Sequence, residues 1–250
     1  MSKFFFLIIY FINLTETYSK ESFTLKIASL EWPPYVSKKI VNRGWCSEVI
    51  REAFESQGVN VNISLMLWKK VIKNIKEGKF VAGYPSYYTK DRSKFAYFSN
   101  SFGKSSVGFF KRKGEEFNFD GSLTKLKNIK IGTVQGYSNG EPFDKAGYLS
   151  KSFYKNDRAA LVMLLARKEV DLVTLDKLTT FHLLKNDRAL KKFSGKVEFM
   201  EPPLDDKLLY VMFSKKNPKG KKYLNLFNKG LKVIKENGTF NNIIKKFEVH

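Results

Sequence analysis

The sequence predicts an α/β protein of two lobes, each a mostly parallel sheet flanked by helices. Three observations support this. Strand and helix patterns alternate over the first half of the chain, the same order returns in the second half, and two polar segments lie between the halves. With 250 residues, of which 43% are hydrophobic, the chain is long enough for one large domain or for two lobes with a core in each.

The N-terminus has the pattern of a secretory signal. Lys3 precedes the apolar run Phe4–Ile12, and polar residues follow it. A basic start and a short apolar stretch are typical of signal peptides. We therefore predict a signal peptide over residues 1–20 and a periplasmic protein. An uncleaved membrane anchor and a first core strand are the alternative interpretations of this run.

Charge and cysteine content exclude several classes of function. The formal net charge is +21 at pH 7, a value that suggests nucleic acid or an anionic membrane as a partner. The lysines are scattered rather than gathered into one stripe, however, and export argues against a nucleic-acid partner. Cys46 is the only cysteine, which excludes an intramolecular disulfide and a multi-cysteine metal site. We expect no metal and no cofactor.

The first half follows a strand-helix-strand-helix-strand order. Apolar alternation or short apolar runs predict strands at 23–29, 59–65 and 80–84, and helical spacing predicts helices at 44–58 and 68–77. Ser47 is the predicted cap of the first helix. The segment Trp32-Pro-Pro-Tyr35 follows the first strand, and its prolines end that strand. Two aromatic rings are thus held at a strand end, where ligands bind in open α/β sheets.

The second half repeats this order after a strand at 105–110. The predicted elements are a strand at 129–134, a glycine-rich turn at 135–140, a helix at 158–169 capped by Asn156 or Asp157, a strand at 170–175 ending at Asp176, a strand at 208–213, and helices at 222–236 and 239–247. Crossings at 111–114 and 214–217 predict one lobe from 21–111 with 215–250 and a second from 112–214. Two crossings between rigid lobes permit hinge closure over a ligand.

Two segments are candidates for binding an anion. Thr89 and Arg92 lie between an apolar strand and the aromatic run Phe95–Phe98. A guanidinium fixed there can bind a carboxylate through two parallel hydrogen bonds. Taken alone, Arg92 is better explained as a surface residue, because most arginines are exposed. The turn at 135–140 offers backbone N–H groups and the positive end of a helix, which suit an anion. A plain strand-to-helix turn with Ser138 as a cap is the alternative there.

These segments, in this order, resemble the periplasmic solute-binding proteins of ABC importers, family 3, the polar amino-acid-binding class. The resemblance covers nearly all of the mature chain. It rests on the loop at 32–35, the segment at 83–99, the turn at 135–138, the strand at 170–176 and the C-terminal segment at 235–247. It implies the periplasmic-binding-protein fold, two lobes joined by two hinge crossings, and no catalysis.

The resemblance also implies the ligand site. Arg92 and the turn at Ser138 would hold an α-carboxylate and Asp176 an α-ammonium, because a zwitterion needs opposite charges at its two ends. The other expected ligand-binding residues are aromatic or carry a hydroxyl: Trp32, Tyr35, Ser86, Tyr87, Thr89 and Tyr137. The sequence departs from the family where Pro85 removes a backbone donor and where Tyr87 replaces a small residue. Trp68 is predicted to pack its helix rather than to contact the ligand.

The expected function is capture of a small polar, carboxylate-bearing solute for uptake by an ABC permease, by a monomer. A ligand sensor for a membrane partner and a dehydratase-like enzyme on the same fold are the alternatives. An enzyme needs a placed acid or base, and neither histidine, His182 or His250, lies in a predicted ligand loop. Glu31 or Asp176 would remain as candidate acids.

Overall fold

The structure is a computed structural model and describes residues 24–117 and 119–248. The predicted signal peptide over residues 1–20 lies outside the described residues. Within the described ranges, none of the helices combines the length and the apolar character that crossing a bilayer requires.

Ten strands and eight α-helices make up the described part of the chain. The strands are β1 Thr24–Ser29, β2 Asn60–Leu65, β3 Ala82–Ser86, β4 Ala96–Phe98, β5 Gly103–Arg112, β6 Lys130–Val134, β7 Ser150–Tyr154, β8 Leu172–Asp176, β9 Val197–Phe199 and β10 Asp205–Ser214. The helices are α1 Trp45–Glu55, α2 Trp68–Lys76, α3 Lys90–Ser93, α4 Glu141–Lys145, α5 Asp157–Val162, α6 Lys177–Asn186, α7 Gly220–Glu236 and α8 Thr239–Glu248.

Two parallel sheets are joined by a pair of long antiparallel strands. The strand order is β2-β1-β3-β10-β5-β8-β6-β7, with β4 also paired to β10 and β9 to β5. Strand β1 runs parallel to β2 and β3, and β6 runs parallel to β7 and β8. Strands β5 and β10 run antiparallel to each other and to their neighbours in both sheets. The predicted α/β architecture of two lobes is confirmed.

The hydrophobic cores show where the chain passes between the lobes. Val107 belongs to the core around β1 and α1, whereas Phe109 belongs to a core of the second sheet. On the return, Leu204 packs against that second core and Leu209 belongs to the first. The change of core therefore falls inside the continuous strands β5 and β10. The lobe limits of 21–111 with 215–250, and of 112–214, stay a proposal.

Gly44 positions the aromatic loop against α1. It is the N-cap residue with φ of 89°, and an added Cβ would lie 2.5 Å from the Tyr35 carbonyl oxygen. The Cys46 N–H donates to that same carbonyl at 3.1 Å. Ser47 does not cap α1, so that prediction is wrong: it lies inside the helix, where its hydroxyl donates to the Arg43 carbonyl at 2.9 Å.

The start of α5 is decided by Asn156. Its side-chain oxygen accepts a hydrogen bond from the Ala159 N–H at 2.9 Å, so Asn156 is the cap. Asp157 becomes the first helical residue and is buried. A π-helical turn, Met163–Arg167, continues α5, and β8 then leads directly into α6, a helix that the sequence patterns did not predict.

Candidate ligand-binding site

The loop after β1 presents a stacked aromatic pair to the interlobe cleft. The backbones of Trp32 and Val36 exchange hydrogen bonds of 2.7 and 2.9 Å, which closes a tight turn around the prolines. The rings of Trp32 and Tyr35 stack with centroids 4.2 Å apart, and Tyr87 meets Trp32 edge-on at 6.1 Å. The structure thus brings together three residues predicted for the site.

Arg92 is buried, with 7% of its surface exposed, so it is not a surface arginine. Thr89 caps α3 by accepting from the Arg92 N–H at 3.1 Å, which fixes the direction of the arginine side chain. The Arg92 Nη1 donates to the Tyr87 carbonyl at 3.0 Å, and the Arg92 Nη2 donates to the Gly136 carbonyl at 2.9 Å. The second bond joins the two lobes.

The charge of Arg92 has no carboxylate partner among the described residues. Besides the two carbonyls, Nη1 lies 3.4 Å from the Ser86 hydroxyl, and the guanidinium lies 5.4 Å from the centroid of the Trp68 ring. Burial lowers the pKa of Arg92 to about 10, so the side chain stays protonated at neutral pH. Trp68, which the sequence assigned to helix packing, therefore also belongs to the site.

Asp176 lies across the cleft at the end of β8. Its Oδ1 accepts from the Thr179 N–H at 2.7 Å, which caps α6, and its Oδ2 accepts from the Tyr35 hydroxyl at 3.0 Å. The Tyr35–Asp176 bond also joins the lobes. Burial raises the pKa of Asp176 to about 7, despite the opposing effect of these hydrogen bonds, and the nearby charge of Asp157 adds to the rise.

Asp157 is a second buried carboxylate that sequence reasoning treated only as a possible helix cap. Its Oδ2 accepts from the Tyr137 hydroxyl at 2.7 Å, while its Oδ1 has no hydrogen-bond partner. Burial raises the pKa of Asp157 to about 6. Because Asn156 already caps α5, Asp157 has no capping role. This is the sequence signal that could have identified Asp157 as a site residue.

Tyr87, Tyr137 and Ser138 border the interlobe cleft, and their hydroxyls are hydrogen-bonded. Ser86 is buried beside Arg92 and lines no cavity. The Tyr87 hydroxyl lies 2.7 Å from the Ser105 hydroxyl, a partner that the sequence did not indicate. Ser138 donates to the Asp144 carboxylate at 3.0 Å, while the N-cap of α4 is Gly140. Ser138 as a helix cap is therefore a wrong interpretation of this turn.

The two lobes are closed, and side chains of both lobes occupy most of the space between them. The inner cavity between them has a volume of about 20 Å³, which holds roughly one water molecule. Eight residues line it: Leu30, Trp32, Trp68, Pro85, Tyr87, Arg92, Tyr137 and Ser138. A wider cleft of about 910 Å³ opens beside it, and Thr89, Arg92 and Ser138 line that cleft as well. A solute as large as an amino acid enters the inner cavity only if the lobes part.

Residues 25–250 match the sequence profile of the bacterial extracellular solute-binding proteins, family 3. The chain belongs to this family. A comparison with curated protein sequences gives no match. In this family 3 protein, the hydrogen bonds from Arg92 to the Gly136 carbonyl and from Tyr35 to Asp176 connect the two lobes.

Solved structures share the fold of this family 3 protein. A mutant of ArgBP from T. maritima is 17% identical, with a TM-score of 0.77 over 91% of this chain and 96% of that chain. An ancestral arginine-binding protein bound to glutamine is 22% identical, with a TM-score of 0.75 over 89% and 96% of the two chains. A histidine kinase sensor domain is 16% identical, with a TM-score of 0.78 over 89% and 95%. At these identities the likeness shows the fold alone.

Within the described residues of this family 3 protein, no group of three or more His, Cys, Asp or Glu side chains is placed to hold a metal ion. The buried groups around the inner cavity, within the described residues, provide one guanidinium, two carboxylates, aromatic rings and hydroxyls.

Proposed function

We propose that this protein captures a small polar, carboxylate-bearing solute, an amino acid or a similar molecule, in the interlobe cleft for ABC-type uptake. One observation carries the proposal. Arg92 and Asp176 are buried on opposite walls of the cleft, and within the described residues neither forms an ion pair. Burying an unpaired charge is costly, so a zwitterion that pairs with both charges is the complementary ligand.

The hydrogen bonds of the closed cleft indicate how the solute would bind. The Arg92 guanidinium would exchange its bond to the Gly136 carbonyl for a forked pair of bonds to a carboxylate. Asp176 would exchange the Tyr35 hydroxyl for an ammonium group. Ser86, Thr89 and Ser138 would supply hydroxyls around the carboxylate, and the rings of Trp32, Tyr35, Tyr87 and Tyr137 would enclose the carbon chain.

Opening and closing would couple the site to the lobes. Because β5 and β10 run without a break through both sheets, bending within this pair can part the lobes while each core stays packed. The closed, liganded form would then dock on an ABC permease. We further propose that the protein is a periplasmic monomer. We also propose that it has no catalytic activity, since the described histidine, His182, lies on α6 outside the inner cavity.

A thermal-shift screen tests the proposal. The protein lacking residues 1–20 is screened against amino acids, dicarboxylates and small peptides, and a ligand raises the Tm as its concentration exceeds the Kd. We expect at least one carboxylate-bearing compound to do so in the wild type and not in Arg92→Ala. A shift that persists in Arg92→Ala, or the absence of any shift across the panel, would contradict it.

A further inference from the structure

One end of the first lobe carries a concentrated positive charge. Segments 73–79 and 215–222 contain eight lysines and one glutamate, a formal net charge of +7 out of the +21 of the whole chain. All eight lysines are exposed, and together they form a surface that we call the lysine patch: Lys73, Lys76, Lys79, Lys215, Lys216, Lys219, Lys221 and Lys222. The fold therefore brings together lysines from two segments that are distant in the sequence.

Hydrogen bonds between the end of α2 and the turn from β10 to α7 fix the patch. The Ser214 hydroxyl donates to the Ile75 carbonyl at 2.6 Å, and the Asn217 side-chain amide donates to the Gly78 carbonyl at 2.9 Å. Gly220 lets α7 begin against the end of β10, since an added Cβ would lie 2.0 Å from the Ser214 carbonyl oxygen. The lysines therefore project from a common base that holds their like charges next to each other.

Acidic residues neutralise little of this charge. Glu77 pairs with Lys79 at 2.7 Å and lies 3.8 Å from Lys73. Within the described residues, four other lysines of the patch form no ion pair: Lys76, Lys216, Lys221 and Lys222. The patch thus keeps most of its formal charge.

The start of α7 adds to the positive potential instead of reducing it. Acidic residues are favoured in the first turn of a helix, because its free N–H groups form the positive end of the helix dipole. In α7 the first turn holds Lys221 and Lys222 and contains no acidic residue. Positive charges there lower the stability of the helix, and a negatively charged surface in front of them would reverse that effect.

The composition and position of the patch favour a broad anionic surface over a single bound anion. All eight cations are lysines, which act as hydrated point charges, whereas an anion held in one geometry is best matched by the fork of an arginine. None of them lines the inner cavity or the wider cleft. Beside the patch, Tyr97 is 36% exposed, and the Lys215 Nζ lies 5.2 Å from the centroid of its ring. An exposed tyrosine beside lysines suits the interface of a bilayer.

The patch lies at the edge of the first sheet opposite the ligand cleft. The cleft residues follow the carboxyl ends of the parallel strands β1 and β3. The Ser214 N–H donates to the Val81 carbonyl at 2.9 Å, just before β3 begins, so β10 leaves the sheet at its amino edge. Strand β1 starts at this edge too, so residues 1–23, with the apolar run Phe4–Ile12, join the described chain there. A membrane at this edge would leave the cleft open to solution.

We propose that the lysine patch docks this protein on the surface of an anionic phospholipid membrane. The bilayer supplies a dense layer of negative headgroups, which complements a group of lysines that lack carboxylate partners. The attraction is electrostatic, so docking is reversible and weakens as salt screens the charges. It does not depend on the proposed solute, because Arg92 and Asp176 lie on the cleft side of the molecule.

Vesicle co-sedimentation tests the proposal on the protein lacking residues 1–20, so that the apolar run cannot bind lipid by itself. Vesicles of phosphatidylcholine are compared with vesicles of an equal mixture of phosphatidylcholine and phosphatidylglycerol. We expect the protein to bind only the anionic vesicles and to be released from them by molar NaCl. Equal binding to both kinds of vesicle, or binding to neither, would overturn the proposal.

Two quadruple variants assign the binding to the patch. The first removes four charges from it: Lys76→Gln, Lys216→Gln, Lys221→Gln and Lys222→Gln. The matched control removes four exposed charges from the second lobe: Lys127→Gln, Lys130→Gln, Lys191→Gln and Lys196→Gln. A lysine close to an anionic membrane raises the partition coefficient about fivefold. We therefore expect a loss of at least about 50-fold in the patch variant and of less than about fivefold in the control. Equal losses would show that total charge drives binding, and would overturn the role of the patch.

Heparin distinguishes a bilayer from a soluble polyanion. If the wild type binds immobilised heparin through the patch lysines but does not bind the anionic vesicles, the partner is a soluble polyanion and the membrane proposal is overturned. Circular dichroism verifies the fold of both variants. The comparison of neutral and anionic vesicles on the wild-type protein stays decisive even if a variant folds poorly.

Discussion

The two walls of the cleft hold their charges in different ways. On the first lobe, Arg92 donates to two backbone carbonyls and keeps its proton at any physiological pH. On the second lobe, Asp157 and Asp176 accept from tyrosine hydroxyls, and one of them also accepts from a backbone N–H. Burial raises the pKa of both carboxyl groups into or near the physiological range.

The first lobe therefore holds a permanent positive charge, whereas the negative charges of the two carboxyl groups in the second lobe depend on pH. Carbonyl oxygens stabilise a guanidinium without neutralising it, so the anion site of the first lobe is ready before a ligand arrives. The carboxyl groups of the second lobe can instead be held as neutral acids while the lobes are closed and empty. We infer that the first lobe supplies ligand anchoring and that the second supplies selectivity and a response to pH.

The largest effect is expected for Arg92→Ala. Arg92 is the cation among the eight described residues that line the inner cavity, so we expect its removal to lower the affinity for a carboxylate ligand by about 100-fold or more, the scale of breaking a buried charge pair. Calorimetry measures the loss, and circular dichroism verifies the fold. Arg92→Lys is the matched variant, which keeps the charge but not the fork, and should recover only part of the affinity. Unchanged affinity in Arg92→Ala would show that Arg92 is not the anchor.

Asp176→Asn should have the next largest effect on binding. The amide keeps a single acceptor oxygen, so it retains the bond from Thr179 or the one from Tyr35, and it cannot pair with an ammonium group. The loss is therefore about 2–3 kcal/mol for an amino-acid ligand. Calorimetry with the ligand identified in the screen measures it, and Asp120→Asn, an exposed carboxylate paired with Lys125 away from the cleft, is the control. Equal binding by Asp176→Asn would indicate a solute without an amine.

The pH dependence of stability tests the second lobe without any ligand. An acid whose pKa is higher in the folded than in the unfolded chain binds more protons when folded, so its contribution to the free energy of unfolding falls as pH rises between the two values. For Asp157 and Asp176 this window runs from about 4, the ordinary aspartate value, to about 6 and about 7. The ligand-free protein should therefore lose stability from these two groups as the pH rises from about 4 to about 7.

The measurement compares the wild type with the Asp157→Asn/Asp176→Asn double variant in thermal unfolding from pH 5 to 8. The wild-type Tm should fall relative to that of the variant by roughly 10 °C across this range, as expected for a change of about 4 kcal/mol in a chain of this size. All other titrating groups cancel in the difference, and Glu169→Gln should track the wild type. Parallel profiles for the wild type and the double variant would show that the two carboxyl groups are not buried as acids.

Most of the fold could be predicted because its patterns are local. Apolar periodicity placed α1, α2, α7 and α8 to within a few residues, and the glycine and proline signals placed their ends. Helix α6 was missed because Thr179, Thr180 and His182 interrupt its apolar spacing, and its cap, Asp176, was interpreted only as a ligand-binding residue. The extent of β5 and β10 was also missed, because strand pairing depends on a distant partner.

The candidate site was predictable only in part. Six of the side chains expected at the site line the inner cavity or the wider cleft beside it: Trp32, Tyr87, Thr89, Arg92, Tyr137 and Ser138. Tyr35, Ser86 and Asp176 line neither, and the partners of all nine could not be derived from the sequence. The bonds of Tyr35 to Asp176, of Tyr137 to Asp157 and of Tyr87 to Ser105 join residues far apart in the chain. Asp157 was not predicted as a site residue, because a carboxylate at a helix start is common. Its burial makes it unusual, and the local spacing of residues does not reveal burial.

The smallest effect is expected for Thr89→Ala. This variant tests whether Thr89 only positions Arg92 or also contacts the solute. The hydroxyl of Thr89 caps α3 and thereby sets the direction of Arg92. Loss of such a cap costs about 1 kcal/mol, so Thr89→Ala should lower the Tm by a few degrees and weaken ligand binding by less than about tenfold. Thr89→Ser keeps the hydroxyl and should restore both, because serine caps at least as well as threonine. If Thr89→Ala weakens binding as strongly as Arg92→Ala while the Tm stays constant, the hydroxyl binds the solute directly, and the carboxylate site extends from Arg92 to the start of α3.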